Sequence, residues 1–445
     1  MFIREEGGKM MRGRWRDIPA LVRTPLGRFE ILHSAYMGAW PLLSRLASFY
    51  RLTIVRKTRI IAVAGSFGKS TTTRAVISSL GGKVNTSPQR SAWSFLAHAV
   101  LRIQPRDRHA VIEVGIDGKG QMASYAQMIR PDITVVTSIG SEHHRSLRTL
   151  EVTRSEKAEM VRILPESGIA ILNGDDPNVL WMKSQTRARV ITFGMNDTND
   201  VRAGDISLDW PEGTRFQLHL DGKTYDMKVR LVGRHMVYPI LAAAAVAHAE
   251  GFPPDRFLQF LEELNPTVGR MQPVRLENAA VILRDDYKSG LETIEAALDT
   301  LSQVPAGRKI VVIGEINEPP RSVHLTYINM GKHMGQMASY AIFIGSNSRF
   351  KEFSKGAIRG GLEKDRLFYV RRGVREVVRI LQDNIVAGDV VLIKGRSNQK
   401  LERVTFSLMG EEVSCEIGFC KAKINCEYCP MLKRGWNNIQ NVFWE

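Results

Sequence analysis

A chain of 445 residues with 44% hydrophobic and 24% charged content has room for two or three domains with proper cores, which excludes a disordered or fibrous class. The formal charge of +16, from 62 basic and 46 acidic side chains, favours anionic partners: nucleotides, a phosphorylated substrate, a membrane surface or nucleic acid. The longest membrane candidate, residues 36–55, is broken by Arg45 and Arg51, nothing before it has the order of a secretory signal, and no nucleic-acid-binding signature is present, so a soluble cytoplasmic protein with no nucleic-acid partner is expected.

Residues 1–57 are strongly basic, carrying Arg12, Arg14, Arg16, Arg23, Arg28, Arg45, Arg51, Arg56 and Lys57 among Trp15, Phe29, Tyr36, Trp40 and Phe49, and suit an arm better than a domain. Within the arm, residues 38–50 predict an amphipathic helix that packs on its own protein or, alternatively, makes a peripheral contact with anionic lipid or a protein partner. From residue 59 to about 250 the runs IIAVA, AVIEVG, ITVVTSIG and GIAILNGDD alternate with helical stretches at 72–80, 119–129 and 154–164. Such alternation predicts a parallel sheet with helices on both faces. Residues 200–232, alternating around Asp221-Gly222, predict a β-hairpin insertion, and the Ala-rich run after Gly233 suits a helix in a close-packed interior. Past a boundary near 268–280, the runs ILRDDY, KIVVIGEI, YAIFIGS, RLFYV and DVVLIKG predict a second, smaller open sheet. The expected fold is α/β: a P-loop parallel-sheet central ATPase domain over 58–268, a smaller Rossmann-like α/β domain over 269–410, and a Cys-rich tail over 411–445.

Between IIAVA and TTRAVISSL lies GSFGKST, residues 65–71, which gives strand, glycine-rich turn and helix start in succession. Gly65, Ser66 and Gly68 shape the turn, Lys69 behind it can reach β/γ-phosphate oxygens, and helix N-terminal amides receive the anion. The Ser70 or Thr71 hydroxyl can ligate Mg²⁺. The spacing is shorter than the full Walker form, and a strand-to-helix turn with no ligand is the alternative. Glu113 ends the second apolar strand and His143 follows ITVVTSIG, where open α/β sheets bind ligands. Both can serve a cation beside the phosphates; a solvated strand-end acid is the alternative for Glu113, and the neighbouring His144 is given no role.

These residues resemble the Mur ligase family, ATP-dependent amide ligases that join an amino acid or dipeptide to a carboxylate through an acyl phosphate. The chain is most similar to the D-alanyl-D-alanine-adding MurF type, over residues 59–408. The motifs are GSFGKSTT at 65–72, EVGIDGKGQM from Glu113, RPDITVVTSIGSEH at 130–143, SEKAEM around Lys157, NGDDP at 173–177, GRHMVY at 233, GRM at 269–271, RDDY at 284–287 and VVLIKGRSNQKLERV at 390–404. The resemblance implies that Lys69, Ser70 and Thr71 bind ATP phosphates and Mg²⁺, and that Glu113 and His143 serve the metals. It places Lys157, otherwise an ordinary helix lysine, where many members carry a carbamylated lysine that ligates a second Mg²⁺. Arg270 would contact the nucleotide, Asp285 or Asp286 would hold the ribose, and Lys394 would face the cleft. Closure of the last domain over the middle one would assemble the site.

The chain also departs from the family pattern. Met236 and Pro239 stand where two Asn are usual, Lys288-Ser289-Gly290-Leu291 replaces Asn-Ala-Asn-Pro, and Arg396-Ser397 reverses the usual order. The 57 residues before the P-loop strand are too few for the family's domain that grips the UDP sugar, so the expected substrate is a carboxylate-bearing, anionic acceptor that need not be a UDP-muramoyl peptide. The expected function is amide ligation with ATP and Mg²⁺ in peptidoglycan or related polymer synthesis. The alternatives are an ATP-binding scaffold or regulatory homologue, and a ligase for a different carboxylate.

Cys415, Cys420, Cys426 and Cys429, the chain's four cysteines, follow C-x4-C-x5-C-x2-C. Four soft ligands so close suit a structural, tetrahedral Zn²⁺ or an iron–sulfur cluster, and a reducing compartment argues against disulfides. Four unpaired thiols are the alternative. The tail continues through Lys433, Arg434, Trp436 and Trp444, a basic and aromatic end suited to docking on a partner.

Overall fold

The computed structural model describes residues 2–4, 10–12, 22, 28, 31, 32, 36, 38–82, 85, 86, 95–142, 144–319, 322–420, 422 and 424–435. Most of the expected arm, His143, Trp436 and Trp444 lie outside the described residues. The chain forms two compact units, one spanning Tyr36–Thr267 and one built on the chain from Val268 onward.

The main elements of the first unit are α1 (Trp40–Thr53), β1 (Arg59–Ala64), α2 (Lys69–Ser79), β2 (Asn85–Thr86), α3 (Leu96–Leu101), β3 (His109–Glu113), α4 (Gln121–Ile129), β4 (Ile133–Val136), α5 (Leu150–Arg162), β5 (Ile169–Asn173), β6 (Arg189–Gly194), β7 (Val201–Asp209), β8 (Gly213–Leu220), β9 (Lys223–Val229), α6 (Val237–Ala249) and α7 (Pro254–Glu262). One nine-stranded sheet runs β9-β8-β7-β6-β5-β4-β1-β3-β2. It is parallel from β2 to β7 and antiparallel at the β7-β8-β9 end. Strands β3, β4 and β5 are buried at every position, because a parallel sheet covered on both faces leaves no side for polar residues. The predicted hairpin is two strands of a three-stranded meander, turning through Asp221 and Gly222 with φ of +51° and +71°, the backbone a tight hairpin demands. Helix α6 is buried on all sides from Pro239 to Ala247 and packs against α2.

Residues 40–53, expected in the arm, are instead α1, whose Ala47, Trp40, Leu43 and Tyr50 pack into the core with Ile60, Ala62, Tyr125 and Ile129. Arg51 pins the helix. Its guanidinium is buried, donates to the carbonyls of Val55, Thr58, Ile129 and Arg130, and meets Asp132 Oδ2 at 2.9 Å. A buried guanidinium is tolerated only when its N–H groups are satisfied in this way.

The second unit contains β10 (Gln272–Arg275), β11 (Val281–Asp285), α8 (Leu291–Gln303), β12 (Lys309–Ile313), α9 (Val323–Gly335), β13 (Tyr340–Ile344), α10 (Asn347–Arg359), β14 (Leu367–Val370), α11 (Arg375–Asn384), β15 (Val390–Lys394) and α12 (Glu402–Leu408). Its sheet runs β10-β11-β15-β12-β13-β14, parallel except for the edge strand β10. Helices α9 and α10 meet backbone to backbone: a Cβ on Gly331 would stand 2.1 Å from Phe353 O, and one on Gly356 would stand 1.9 Å from Ile328 O. The fold is therefore α/β in both units, with no helix among the described residues long and apolar enough to cross a membrane.

A polar clasp joins the end of α6 to the start of β1 and β3. Glu250 accepts from Arg59 Nη2 at 2.6 Å and lies 2.9 Å from His109 Nε2. Burial alone would raise the Glu250 carboxyl, but hydrogen bonds with His109 and Arg59 and the Arg59 charge outweigh it and hold the group at about 2, below its ordinary 4.5. The clasp's contribution is thus complete above pH 4.5 and lost as pH falls from 4.5 toward about 2. Glu250→Gln should lower unfolding free energy at neutral pH by about 1.5–3 kcal/mol, and denaturant titrations of both proteins should show the difference shrinking as pH falls below 4.5. A pH-independent difference would assign the effect to packing.

Candidate active site

Strand β1 lies between β3 and β4, so the chain leaving its carboxyl end enters the crevice where open parallel sheets bind ligands. Residues 65–68 fill that crevice as a turn, and α2 starts at Lys69 behind Gly68, which has φ of +80°. The turn lies on the end of β4. Ser66 N donates to Ser138 O at 2.8 Å, Phe67 N to Ser138 Oγ at 2.9 Å, and Thr137 Oγ1 to Phe67 O at 2.5 Å. Ser66 Oγ bonds the backbone of Gly140. Gly65 has φ of +143°, and a Cβ there would stand 2.0 Å from Thr137 Oγ1. The first-turn amides of α2 have no intrahelical acceptors and no side-chain cap at Gly68, which is what an anion at a helix N-terminus requires.

Lys69 is 6% exposed and its ammonium is gathered by Gly65 O and Ser66 O, both at 2.9 Å, and by Glu142 Oε2 at 3.1 Å. A lysine held by two loop carbonyls and one carboxylate is aligned with the turn that would carry phosphate. Glu142 escaped the sequence reading; its only signal is that it precedes His143 in the segment after β4. Ser70 Oγ donates to Glu113 Oε1 at 3.2 Å, a meeting set by the β1–β3 register that pairs Val63 with Glu113. The other carboxylate oxygen, Glu113 Oε2, is buried and has no hydrogen-bond partner among the described residues. A buried anionic oxygen beside a hydroxyl at a phosphate turn fits a hard divalent cation, which takes oxygen ligands. Thr71 turns elsewhere, its Oγ1 3.3 Å from Thr267 Oγ1. Of the two hydroxyls, Ser70 stands with Glu113.

Lys157 lies on α5 and is 2% exposed, with its Nζ 3.0 Å from Ser66 Oγ. The default of a solvated helix lysine does not describe it. His144 begins the short helix His144–Leu147. Near the departures from the family pattern, Met236 and Pro239 are buried at the start of α6, and Tyr238 donates to Asp175 Oδ2 at 2.9 Å. Asp175 also accepts from the amides of Met195 and Asn196 and from Asn199 Nδ2, so it organises the loop after β6.

The remaining expected residues lie in the second unit. Asp285 and Lys394 face each other across the β11–β15 register, with Nζ 2.5 Å from Asp285 Oδ2 and 3.0 Å from Lys288 O. Lys394, expected to face a cleft, is 1% exposed and spends its ammonium on these partners. Burial pulls its pKa down while Asp285 opposes the shift. Asp286 accepts from Arg284 Nε at 2.8 Å. Burial pushes its carboxyl up to about 7, with Arg284 opposing and Glu402 and Asp285 adding repulsion. Both aspartates are therefore engaged internally. The Arg270 guanidinium carbon lies 4.6 Å over the Tyr287 ring, a cation–π contact. Cys415, Cys420, Cys426 and Cys429 line one cavity in the tail. Among the described residues no three His, Cys, Asp or Glu side chains stand as a ready ligand set.

Two family profiles match the chain: Mur ligase middle domain over residues 63–247, and Mur ligase, glutamate ligase domain over residues 269–397. The UDP-N-acetylmuramoyl-tripeptide--D-alanyl-D-alanine ligase of Mycobacterium tuberculosis is 28% identical over 426 residues, covering 89% of this chain and 83% of that protein. The enzyme of the same name from Bacillus subtilis is 26% identical, covering 80% and 77%. Among solved structures, MurF from Acinetobacter baumannii is similar in fold at a TM-score of 0.73 and 21% identity, covering 83% of this chain and 80% of that one. MurF from Thermotoga maritima, solved in complex with ADP, has the same TM-score at 20% identity and covers 83% of each.

The tight approach of the turn to β4 makes Gly65 irreplaceable. Gly65→Ala should lower stability by about 1–3 kcal/mol, from strain at positive φ and the clash with Thr137. Gly307→Ala, where nothing lies within 4 Å, should stay within about 0.5 kcal/mol of the parent. Chemical denaturation of the two variants checks this; equal losses would mean that the turn has room to move.

Proposed function

The chain belongs to the Mur ligase family, and from that membership we propose that it is an ATP-dependent, ADP-forming amide ligase. Its proposed reaction joins an amine to a carboxylate-bearing, anionic acceptor through an acyl phosphate. The relatives' names supply the first substrates to try: a UDP-N-acetylmuramoyl-tripeptide as the acid and D-alanyl-D-alanine as the amine. The observation that carries this reading is the trio at the β1 turn: buried Lys69 on the loop carbonyls, half-buried Ser70 on Glu113, and the unshared, buried Glu113 Oε2.

The substrate carboxylate attacks the γ-phosphorus of ATP, the bond to ADP breaks, and a mixed anhydride forms. The amine then attacks the acyl carbon, a tetrahedral intermediate collapses, and phosphate leaves with the bonding pair while the nitrogen loses a proton. The balance is ATP, acid and amine in; ADP, phosphate and amide out. Little covalent chemistry falls to the protein, whose work is positioning and charge stabilisation. Lys69 would turn from Glu142 and the loop carbonyls to the β/γ-phosphate oxygens, while Gly65, Ser66, Gly68 and the α2 amides cradle them. Ser70 and Glu113 would hold Mg²⁺, with His143 and a carbamylated Lys157 assigned to the metals through the family resemblance. Mg²⁺, when bound, neutralises charge that develops on the phosphoryl group. By the same resemblance Arg270, Thr71, Asp285, Asp286 and Lys394 serve the nucleotide. The internal partners of both aspartates and of Lys394 mean that these would act by shaping the backbone around it. The four tail cysteines stand outside this chemistry; as a structural Zn²⁺ site they would serve the fold.

ADP release from purified protein with ATP, Mg²⁺ and paired candidate acids and amines tests the proposal. It should rise only when both are present. Lys69→Ala should reduce the rate by at least about 10²-fold, read at a temperature where the variant, which leaves the buried Glu142 without its cation, is still folded by circular dichroism. Turnover at the parental rate in that variant would sink the phosphate-turn assignment. For Lys157→Ala the expectation is loss of activity with partial recovery on adding a small carboxylate, which can stand in for a lost carbamate; full activity without it would remove Lys157 from the site.

A further inference from the structure

The tail cysteines, 15 residues from first to last, are brought together around one cavity of about 10 Å³. That is space for a single water-sized occupant. Its other walls are Lys400, Arg403, Ile424 and Leu432. Two of these are cations that water does not reach: Lys400 is 5% and Arg403 0% exposed. Arg403 is fixed by the carbonyls of Gln399, Cys415 and Ile417, and its Nη1 lies 3.4 Å from Cys415 Sγ. Lys400 Nζ donates to Ile424 O at 2.6 Å. Glu402 is the nearby acid, buried and receiving the Cys426 amide at 3.2 Å. With four neutral thiols, two buried cations line the cavity and one carboxylate lies nearby, a surplus of positive charge that thiolates would offset.

We propose that Cys415, Cys420, Cys426 and Cys429 bind one Zn²⁺ as a structural site that folds the tail onto the second unit. Four thiolates and Zn²⁺ carry a net charge of −2, which the charges of Lys400 and Arg403 offset, leaving the single charge of Glu402. The sulfurs are not yet closed into a ligand set, so loading turns the four side chains into the cavity they share and releases their protons. The surrounding apolar material is slight, with Ile417, Ala422, Ile424 and Met431 on one side and Phe406, Val413 and Leu432 on the other. A segment with so small a core gains most of its order from the metal.

The full chain, purified without chelator under reducing conditions, should carry about one zinc per chain by elemental analysis. Stripped protein should take up one equivalent of Zn²⁺ against a chromogenic chelator, and loading should protect residues after 410 from proteolysis. Cys426→Ser with Cys429→Ser should abolish uptake and leave ADP release by the ligase site intact, so this test is independent of the ligase proposal. Iron with labile sulfide, or stripped protein that takes up no zinc, overturns the assignment even if the double variant folds poorly.

A second, independent observation concerns α1. Arg51 and Ala47 fasten one side of this helix, yet Leu42, Leu46 and Phe49, at i, i+4 and i+7, are 72%, 49% and 63% exposed on the other. Leu52 and Ile54 extend the apolar surface, and Arg45, Arg56 and Lys57 are exposed beside it. Between Glu30 and Asp107 the sequence has no acidic residue and eleven Lys or Arg. An apolar stripe on a segment whose own charges are all basic complements an anionic bilayer, where the chains take Leu and Phe and the headgroups take Arg and Lys. We infer that this face rests on anionic membrane. The full chain should co-sediment with vesicles of phosphatidylcholine and phosphatidylglycerol but not of phosphatidylcholine alone. Leu46→Glu with Phe49→Glu should weaken binding at least about tenfold with the unfolding midpoint unchanged. Equal sedimentation of parent and variant, or none of either, would overturn it.

Discussion

The proposed phosphate-binding end of the first sheet depends on how closely the β1 turn lies on the end of β4. A Cβ on Gly65 would stand 2.0 Å from Thr137 Oγ1, and the backbone of residues 66 and 67 is held by Ser138 and Thr137 through hydrogen bonds of 2.5–2.9 Å. Because the turn cannot lift, α2 starts at a fixed point, and Lys69 and Ser70 inherit that placement. The parallel register then puts Glu113 within reach of Ser70. A catalytic arrangement that works by position needs this kind of support, since side chains on a loose loop would surrender most of their advantage to entropy.

Buried charges recur in pairs that cost stability unless each N–H and oxygen finds a partner. Lys69 with Glu142, Lys394 with Asp285, and Arg284 with Asp286 are of this kind. Lys69 differs in that its carbonyl partners belong to the glycine-rich turn itself, where a phosphate can replace them without leaving Glu142 far away. Lys394 and Asp285 instead tie two neighbouring strands of the second sheet, where an apolar pair would hold the strands as well but would not fix the backbone before Asp286. Arg51 and Arg403 show the same economy at the edges of the fold: each satisfies several carbonyls and thereby fastens a segment that has little core of its own.

Much of the fold was legible because strands buried on both faces must be apolar throughout. The runs that became β1, β3, β4, β5, β11, β12, β13 and β15 stand out in the sequence for that reason, and the half-exposed edge strand β14 was legible from its run RLFYV. What escaped was short, half-exposed or at an edge. Asn85–Thr86 is two residues long, Arg189–Gly194 starts exposed, and Gln272–Arg275 is an antiparallel edge with a proline. The helix at 40–53 was legible as amphipathic, but its basic composition concealed that Arg51 is a buried anchor and not a surface charge.

The sequence by itself determined a glycine-rich turn between strand and helix with Lys-Ser behind it, a pattern that suits a phosphate and has a ligand-free turn as its alternative. It also determined the strand-end carboxylate Glu113 and the clustering of four cysteines. Tertiary structure decided the rest, because the decisive contacts join residues far apart in the chain. Lys157 is 91 residues from the Ser66 hydroxyl it meets, Glu142 is 73 from Lys69, and Lys394 is 109 from Asp285. A lysine on a helix carries no mark of which way it faces. Only the packing of α5 beside the β1 turn turns Lys157 inward, and only the adjacency of β11 and β15 turns the Lys394 ammonium from an expected open contact into a buried pair.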